Sequence, residues 1–242
     1  MKIKDIKITF IGHTTFYLQM PGGFTVLTDP FFSEGFGWGK WEKRLSLPAV
    51  KPGDIKKCDA VFISHPHGDH YDPAPLQVIL KNTKAKVYAP PEITEELAKK
   101  YKVPARRLAA LTEGYKKVTG GVTLRAYAGF DASFDKDGRP NKYALSVSTE
   151  KASLFFSGDC HQLPPAAKGK HFDAFFSWPH PKELIVKQYG RFFKFDNMIL
   201  MHGDKFSPGK FYCNFDYKAE KARMEGLLPG VKVLIPVAAK KV

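Results

Sequence analysis

The sequence predicts a layered α/β (α+β) domain, with two sheets packed face to face and helices outside them, and three observations carry that expectation. Short runs rich in β-branched and aromatic residues recur through both halves of the chain. Capped helical stretches follow strands in each half. Hydrophobic residues make up 43% of the 242 positions and include 20 Phe, enough to fill the space between two sheets. No repeat, low-complexity stretch or linker divides the chain, so residues 1–242 are expected to form a single domain.

The first part predicts strands at Ile6–Ile11, Thr15–Gln19 and Phe24–Thr28, with Gly22-Gly23 turning the last pair. Phe31–Trp41 (FFSEGFGWGKW) is rich in Gly and aromatics and longer than a simple connection needs. It reads as a loop that walls a pocket or caps the core. Ala60–Ser64 reads as a short buried strand leading into Ser64-His65-Pro66-His67-Gly68-Asp69-His70. Asp72-Pro73 supplies an N-cap and a first-turn proline for a helix to about Leu80. A strand at Val87–Ala89 and a helix at Thr94–Tyr101 follow. The second half repeats the scheme. Strands are expected at Val122–Ala128, Tyr143–Ser148, Ser153–Ser157, Asp173–Ser177, Met198–His202 and Lys232–Pro236, and helices at about Pro181–Tyr189 and Tyr217–Leu227.

Composition narrows the setting. The longest apolar runs, Ala60–Ile63 and Met198–Met201, are far too short to span a bilayer. The opening MKIKDIKITF alternates Lys or Asp with Ile instead of forming a signal-peptide core, so a cytoplasmic protein is expected. Cys58, Cys160 and Cys213 are widely spaced and form no CxxC pair, which argues against a disulfide framework or a Cys-rich zinc site. A formal net charge of +14 favours an anionic small-molecule substrate, nucleic acid or an acidic surface, unless it only keeps the chain soluble. The basic residues are dispersed; the densest group is Lys99-Lys100-Tyr101-Lys102 with Arg106-Arg107. With no basic stripe, nucleic acid is the less favoured partner.

The histidine run carries the chemistry. His65 and His67 lie two apart at the end of an expected strand, so both imidazoles point to one side. Gly68 is expected to let the backbone turn, bringing Asp69 and His70 to the same cavity. Four N/O donors in six residues suit Zn²⁺, Mn²⁺ or Fe²⁺. A surface His-rich turn is the alternative, but a place between a buried strand and a capped helix favours the metal.

HPHGDH is similar to the HxHxDH signature of the metallo-β-lactamase superfamily. The opening IGHTTFYLQ…GGFTVLTDPFFS resembles the branch containing L-ascorbate-6-phosphate lactonase and N-acyl-phosphatidylethanolamine-hydrolysing phospholipase D. Phe156-Ser157-Gly158-Asp159 and Met201-His202-Gly203 resemble its later strand-end motifs, so the likeness runs from about residue 8 to 206. It implies a four-layer αββα sandwich with the site at one edge. It also implies two divalent ions, zinc first and Mn or Fe as alternatives. One would be held by His65 and His67, the other by Asp69, His70 and His202, with Asp159 shared and Asp69 and His70 at the catalytic centre. Such a centre makes a hydroxide nucleophile from bound water and polarises a carbonyl or phosphoryl oxygen.

One position departs from the family pattern. A third histidine for the first metal is expected just after Val122–Ala128, where this chain has Gly129-Phe130-Asp131. Asp131 or His161 takes its place, or the first site is weak or empty, and Asp131 reads equally as an ordinary loop carboxylate. His13 reads either as a hairpin histidine bonded to backbone or as a neighbour of the site. Asp29 reads as a turn former before Pro30 or as a carboxylate steadying a ligand histidine. Cys160 reads as a small buried hydrophobe, and His171 and His180 have no supporting spacing. The expected function is hydrolysis of an ester, lactone or phosphoester in an anionic small or lipid-like molecule. A metal-dependent nuclease and a non-catalytic ligand-binding protein that keeps the fold are the alternatives.

Overall fold

Burial alternates along the first long strand, with Ile6, Ile8 and Phe10 covered and Lys7 exposed, so one face of its sheet packs on a core. The structure, a computed structural model, describes residues 1–38, 40–129, 133–160, 165–179, 186–187, 193–207 and 214–242. The first sheet contains β1 (Lys2–Ile3), β2 (Ile6–Gly12), β3 (Thr15–Gln19), β4 (Thr25–Thr28), β7 (Ala60–Phe62), β8 (Lys86–Ala89) and β9 (Leu108–Ala110), paired in that order. The second contains β10 (Lys116–Thr119), β11 (Val122–Ala128), β12 (Tyr143–Ser148), β13 (Ser153–Phe156), β14 (His171–Ser177), β15 (Lys194–Leu200) and β17 (Lys232–Leu234), again in that order. Helices α1 (Pro73–Asn82), α2 (Pro91–Lys99) and α3 (Tyr217–Leu227) complete the layers.

Three packed clusters show why the layers stack. Phe16, Phe62, Phe156, Phe176 and Ile199 fill the space between the two sheets. On the outer face of the first sheet, Leu27, Val61 and Val87 meet Ile79 of α1 and Leu97 of α2. On the outer face of the second, Phe155, Phe175 and Met198 meet Met224 of α3 and Leu228. Neighbours such as Val61 and Phe62, or Phe155 and Phe156, therefore serve opposite layers, as period-2 geometry requires. The result is the αββα sandwich.

The structure corrects several expectations. The second half of Phe31–Trp41 is no loop: β5 (Gly35–Trp38) and β6 (Lys40–Arg44) form a hairpin that pairs with β16 (Phe206–Ser207) in a small third sheet. Its glycines disguised it. Gly35 lies against the Glu42 carbonyl oxygen, where a Cβ has no room. Helix α2 starts at Pro91, which takes the first-turn position, so Thr94 lies inside it and donates to the Pro91 carbonyl at 2.8 Å. Asp72 precedes α1 but its side chain caps nothing; Oδ2 accepts from the Phe32 and Ser33 amides at 3.1 and 2.8 Å. Strand β15 starts at Lys194, earlier than Met198, because charged Lys194 and Asp196 alternate with buried Phe195. The helix expected at Pro181–Tyr189 falls outside the described residues except 186–187. Among the described residues, no helix is long and apolar enough to cross a membrane.

Lys4, in the β1–β2 turn, reaches Asp173 of the opposite sheet at 2.6 Å, and Asp173 also accepts from the Ser153 amide at 2.7 Å. Burial pushes the Asp173 carboxyl upward, but the Lys4 ammonium and the Ser153 amide outweigh it and hold it below the usual carboxylate range. A depressed folded value contributes stability above the unfolded value and loses it as pH falls through the folded one. Asp173→Asn is therefore expected to lower the urea midpoint at neutral pH, with the gap closing in strong acid. A gap that stayed constant down to the most acid pH would refute this linkage.

Candidate metal centre

Parallel pairing of β4 with β7, of β13 with β14 and of β14 with β15 points the ends of these strands at one edge of the sandwich. Asp29 follows β4, Ser64–His70 follows β7, Asp159 follows β13, His202 follows β15, and His13 sits in the β2–β3 turn. The backbone is strained where these elements meet. Of five non-glycine residues with positive φ among those described, His13 (+53°), Asp29 (+34°) and His202 (+69°) lie here. Gly158 has φ +54° and a Cβ would stand 2.6 Å from Ser64 Cβ, so only glycine brings this turn against the histidine strand.

A buried hydrogen-bond chain sets the tautomers. Asp29 Oδ1 accepts the Ser64 amide at 2.7 Å, and Oδ2 accepts the Ser64 hydroxyl at 2.7 Å and His70 Nδ1–H at 2.6 Å. Because that hydroxyl proton is committed, His65 Nδ1 must donate to Ser64 Oγ at 2.9 Å. Nε2 of His65 and of His70 are thereby left as the ligating nitrogens.

Four donor atoms converge. His70 Nε2 lies 3.1 Å from His202 Nε2, 3.3 Å from Asp159 Oδ1 and 3.7 Å from Asp69 Oδ2. His202 Nε2 lies 3.3 Å from Asp159 Oδ1 and 3.4 Å from Asp69 Oδ2. A tetrahedron with metal–ligand bonds of about 2.0–2.2 Å has edges of roughly 3.3–3.6 Å, close to these five separations. Among the described residues, His13, Asp69, His70 and His202 form one group of donors within 4.8 Å of one another, and His65, His70 and Asp159 form another. Asp159 Oδ1 is buried and accepts no well-formed hydrogen bond among the described residues. On the other side, His65 Nε2 lies 2.9 Å from His67 Nδ1 and 3.7 Å from Asp159 Oδ2. The two oxygens of Asp159 thus face different imidazole groups. Asp131 and His161, the two candidates for the missing third histidine, lie outside the described residues.

Protonation suits ligation. Burial, reinforced by His70, holds His65 well below the ordinary histidine value, and burial lowers His67 as well. Asp69 and Asp159 resist the upward push of burial because neighbouring histidines hold both below the usual carboxylate range. Burial also acts against the charged form of His70, but Asp159, Asp69 and Asp29 hold its value well above the ordinary one. Neutral His65 and His67 and the ionised carboxylates are set for a divalent cation, whereas His70 would give up its Nε2 proton to one.

Other residues fall differently from expectation. The chain does turn at Gly68, with the His70 and Tyr71 amides donating to the His67 carbonyl at 3.0 and 2.8 Å, but without a positive φ; the missing side chain serves close packing, since a Cβ would come 3.1 Å from Phe36 Cβ. His171 pairs with Asp196 on the surface, at 2.8 Å. His180 lies outside the described residues. Cys160 is half-buried at the margin of the cluster under α3. Sequence reasoning missed Arg44, Asp204 and Trp178. Arg44 Nε donates to Asp204 Oδ2 at 2.6 Å, Asp204 Oδ1 accepts the His13 amide at 3.1 Å, and Trp178 stacks on His202 with centroids 5.1 Å apart. Asp204 stands two residues after His202 and was open to notice; nothing local marks Arg44 or Trp178.

An αββα sandwich carrying a buried His/Asp donor set at one edge defines a metallo-β-lactamase-fold protein. The family model for the beta-lactamase superfamily domain matches residues 7–175, and the chain belongs to the metallo-β-lactamase superfamily. It is 28% identical over 156 residues to a UPF0173 metal-dependent hydrolase of Pyrococcus furiosus, an alignment covering 64% of this chain and 62% of that protein. A UPF0173 metal-dependent hydrolase of Rubrobacter xylanophilus is 26% identical over 235 residues, covering 96% of this chain and 80% of the relative. Among solved structures, the metallo hydrolase Igni18 of Ignicoccus hospitalis superposes with a TM-score of 0.68 at 18% identity, covering 98% of this chain and 97% of that one.

Proposed function

We propose that residues 1–242 act as one metal-dependent hydrolase domain that cleaves an ester, lactone or phosphoester bond in an anionic small or lipid-like molecule. The observation that carries this reading is the convergence of donor atoms of Asp69, Asp159 and His202 on His70, at 3.1–3.7 Å. These four would hold one divalent ion, with zinc favoured by geometry and Mn or Fe also compatible. His65 and His67 would hold a second through the other oxygen of Asp159. When bound, such ions activate water as a nucleophile and polarise the substrate's carbonyl or phosphoryl oxygen.

The chain's own residues do the rest. Asp29 keeps the proton of His70 on Nδ1, and Ser64 keeps that of His65 on Nδ1, so each Nε2 faces the centre. Asp69 and His70 are the catalytic pair in this reading, because both touch the deeper ion. Lys142, whose Nζ donates to the Asp159 carbonyl at 3.3 Å, and the net charge of +14 support an anionic substrate. The hydrolase names of the relatives and the opening motif's likeness to the lactonase-like branch support the reaction class. A free thiol at Cys58 fits a cytoplasmic setting.

Purified protein assayed on generic phosphodiester, lactone and single-stranded RNA substrates with Mn²⁺ or Zn²⁺ tests the reading. Phosphodiester or lactone turnover that a chelator abolishes is the expected result. Cleavage of RNA alone would mark a nuclease, and no turnover at full metal occupancy would mark a binding protein.

A further inference from the structure

His13 is fully buried, and it stands outside the expected ligand set although the likeness to the lactonase-like branch places it near the site. Its Nε2 lies 3.2 Å from Asp69 Oδ2, and its ring centroid lies 4.1 Å from that of His202. Phe31 and Phe206 close around it edge-on at 5.7 and 5.4 Å, and Nδ1 has no hydrogen-bond partner among the described residues. The residue is held in an unfavourable backbone conformation, φ +53°, by bonds on both sides. Its amide donates to Asp204 Oδ1 at 3.1 Å, and its carbonyl accepts the His202 amide at 3.0 Å. Asp204 is in turn anchored by the buried Arg44 of the β5–β6 hairpin. A costly conformation pinned from two directions beside a ligand carboxylate indicates a positional task.

We propose that His13 is a positioning residue of the metal centre: it donates Nε2–H to Asp69 Oδ2 and so fixes that carboxylate against His70 and His202. The role rests on the metal-centre reading above. It mirrors what Asp29 does for His70, with the donor and acceptor exchanged. A carboxylate can turn about its last bond, and an imidazole N–H on one oxygen stops that rotation. The Arg44–Asp204 pair extends the support to the hairpin, so hairpin docking and the geometry of Asp69 become coupled.

The test is metal affinity, measured by competition with a chromophoric chelator using zinc as the probe. His13→Ala is expected to weaken zinc binding about 10–100-fold. His13→Gln, whose side-chain amide nitrogen can take the place of Nε2, is expected to recover most of that loss. Wild-type affinity in His13→Ala would overturn the proposal while leaving the metal centre standing. Equal loss in both variants would make His13 a ligand, and would also overturn it. Absence of zinc binding by the wild-type protein would remove the centre itself and the proposal with it. A measurement on the wild type avoids reliance on a variant that fails to fold. Imidazole nitrogen NMR with cadmium as the probe metal is expected to show coupling at His70 and His202, with His13 uncoupled and protonated at Nε2; cadmium coupling at His13 would refute the positioning role.

Discussion

His70→Ala is expected to lose most of its bound metal and, with it, activity by at least on the order of 10²–10³-fold, the effect of removing one preorganised electrostatic group. His70 is the residue common to both groups of donors among the described residues. Its Nε2 lies within 3.7 Å of donor atoms of His202, Asp159 and Asp69, and its Nδ1 holds Asp29. Removing the ring also leaves Asp29, Asp69 and Asp159 as neighbouring carboxylates with less positive charge among them, which weakens the fold locally. His65→Ala makes the control, because it leaves Asp69, His70, Asp159 and His202 complete and is expected to retain the deeper ion. Metal content by elemental analysis, together with turnover on whichever substrate class proves active, decides the matter. Unchanged metal in both variants would end the proposed centre.

Arg44→Ala is expected to cost about 3–5 kcal/mol of stability, the range for removing one partner of a buried ion pair. The Arg44 side chain is 1% exposed, and its guanidinium pairs with Asp204, whose side chain is 15% exposed. Its Nη1 also donates to the Phe31 carbonyl at 3.2 Å, and the guanidinium carbon sits 4.8 Å over the Phe31 ring. Alanine would leave the Asp204 carboxylate without its cation and the third sheet without its main polar tie to the sandwich. For a chain of this length the loss corresponds to roughly 6–20 °C in Tm. Arg44→Lys is expected to recover only part of it, since an ammonium cannot make the forked contact and the carbonyl bond together. Thermal unfolding of the three proteins checks this, and a loss below about 1 kcal/mol would show that the pair is dispensable.

Much of the fold was readable because strand periodicity is local. β3, β11, β12 and α3 have the bounds expected from burial pattern and caps alone. The elements that escaped lack a local signature. β9 is Leu-Ala-Ala, β10 opens Lys-Lys, and β5 contains two glycines, so each is a strand only because a neighbour pairs with it. The site divides in the same way. The run His65–His70 announced itself, since four donors in six residues at a strand end have few other uses. Asp159 and His202 were recognisable through motif likeness, and the structure brings both to His70. Arg44 was not legible, because its relation to Asp204 spans 160 residues. The turn at Gly68 was legible, but the reason it takes glycine was not. Glycine is asked for by a backbone angle or by a neighbour's bulk, and only the packing of Phe36 tells which.

Residue type and spacing within a few positions determined a layered α/β domain of two sheets with helices outside and marked His65–His70 as a metal-binding run, and motif likeness added the αββα layering, Asp159 and His202. Tertiary structure decided which nitrogen of each histidine faces the centre, that Asp159 offers one oxygen to each side, and that His13 touches Asp69. The physical reason is that, apart from the neighbours Ser64 and His65, these contacts join residues 41 to 94 positions apart. Parallel register and the packing of two sheets set their distances to a few tenths of an ångström, and no local pattern encodes them.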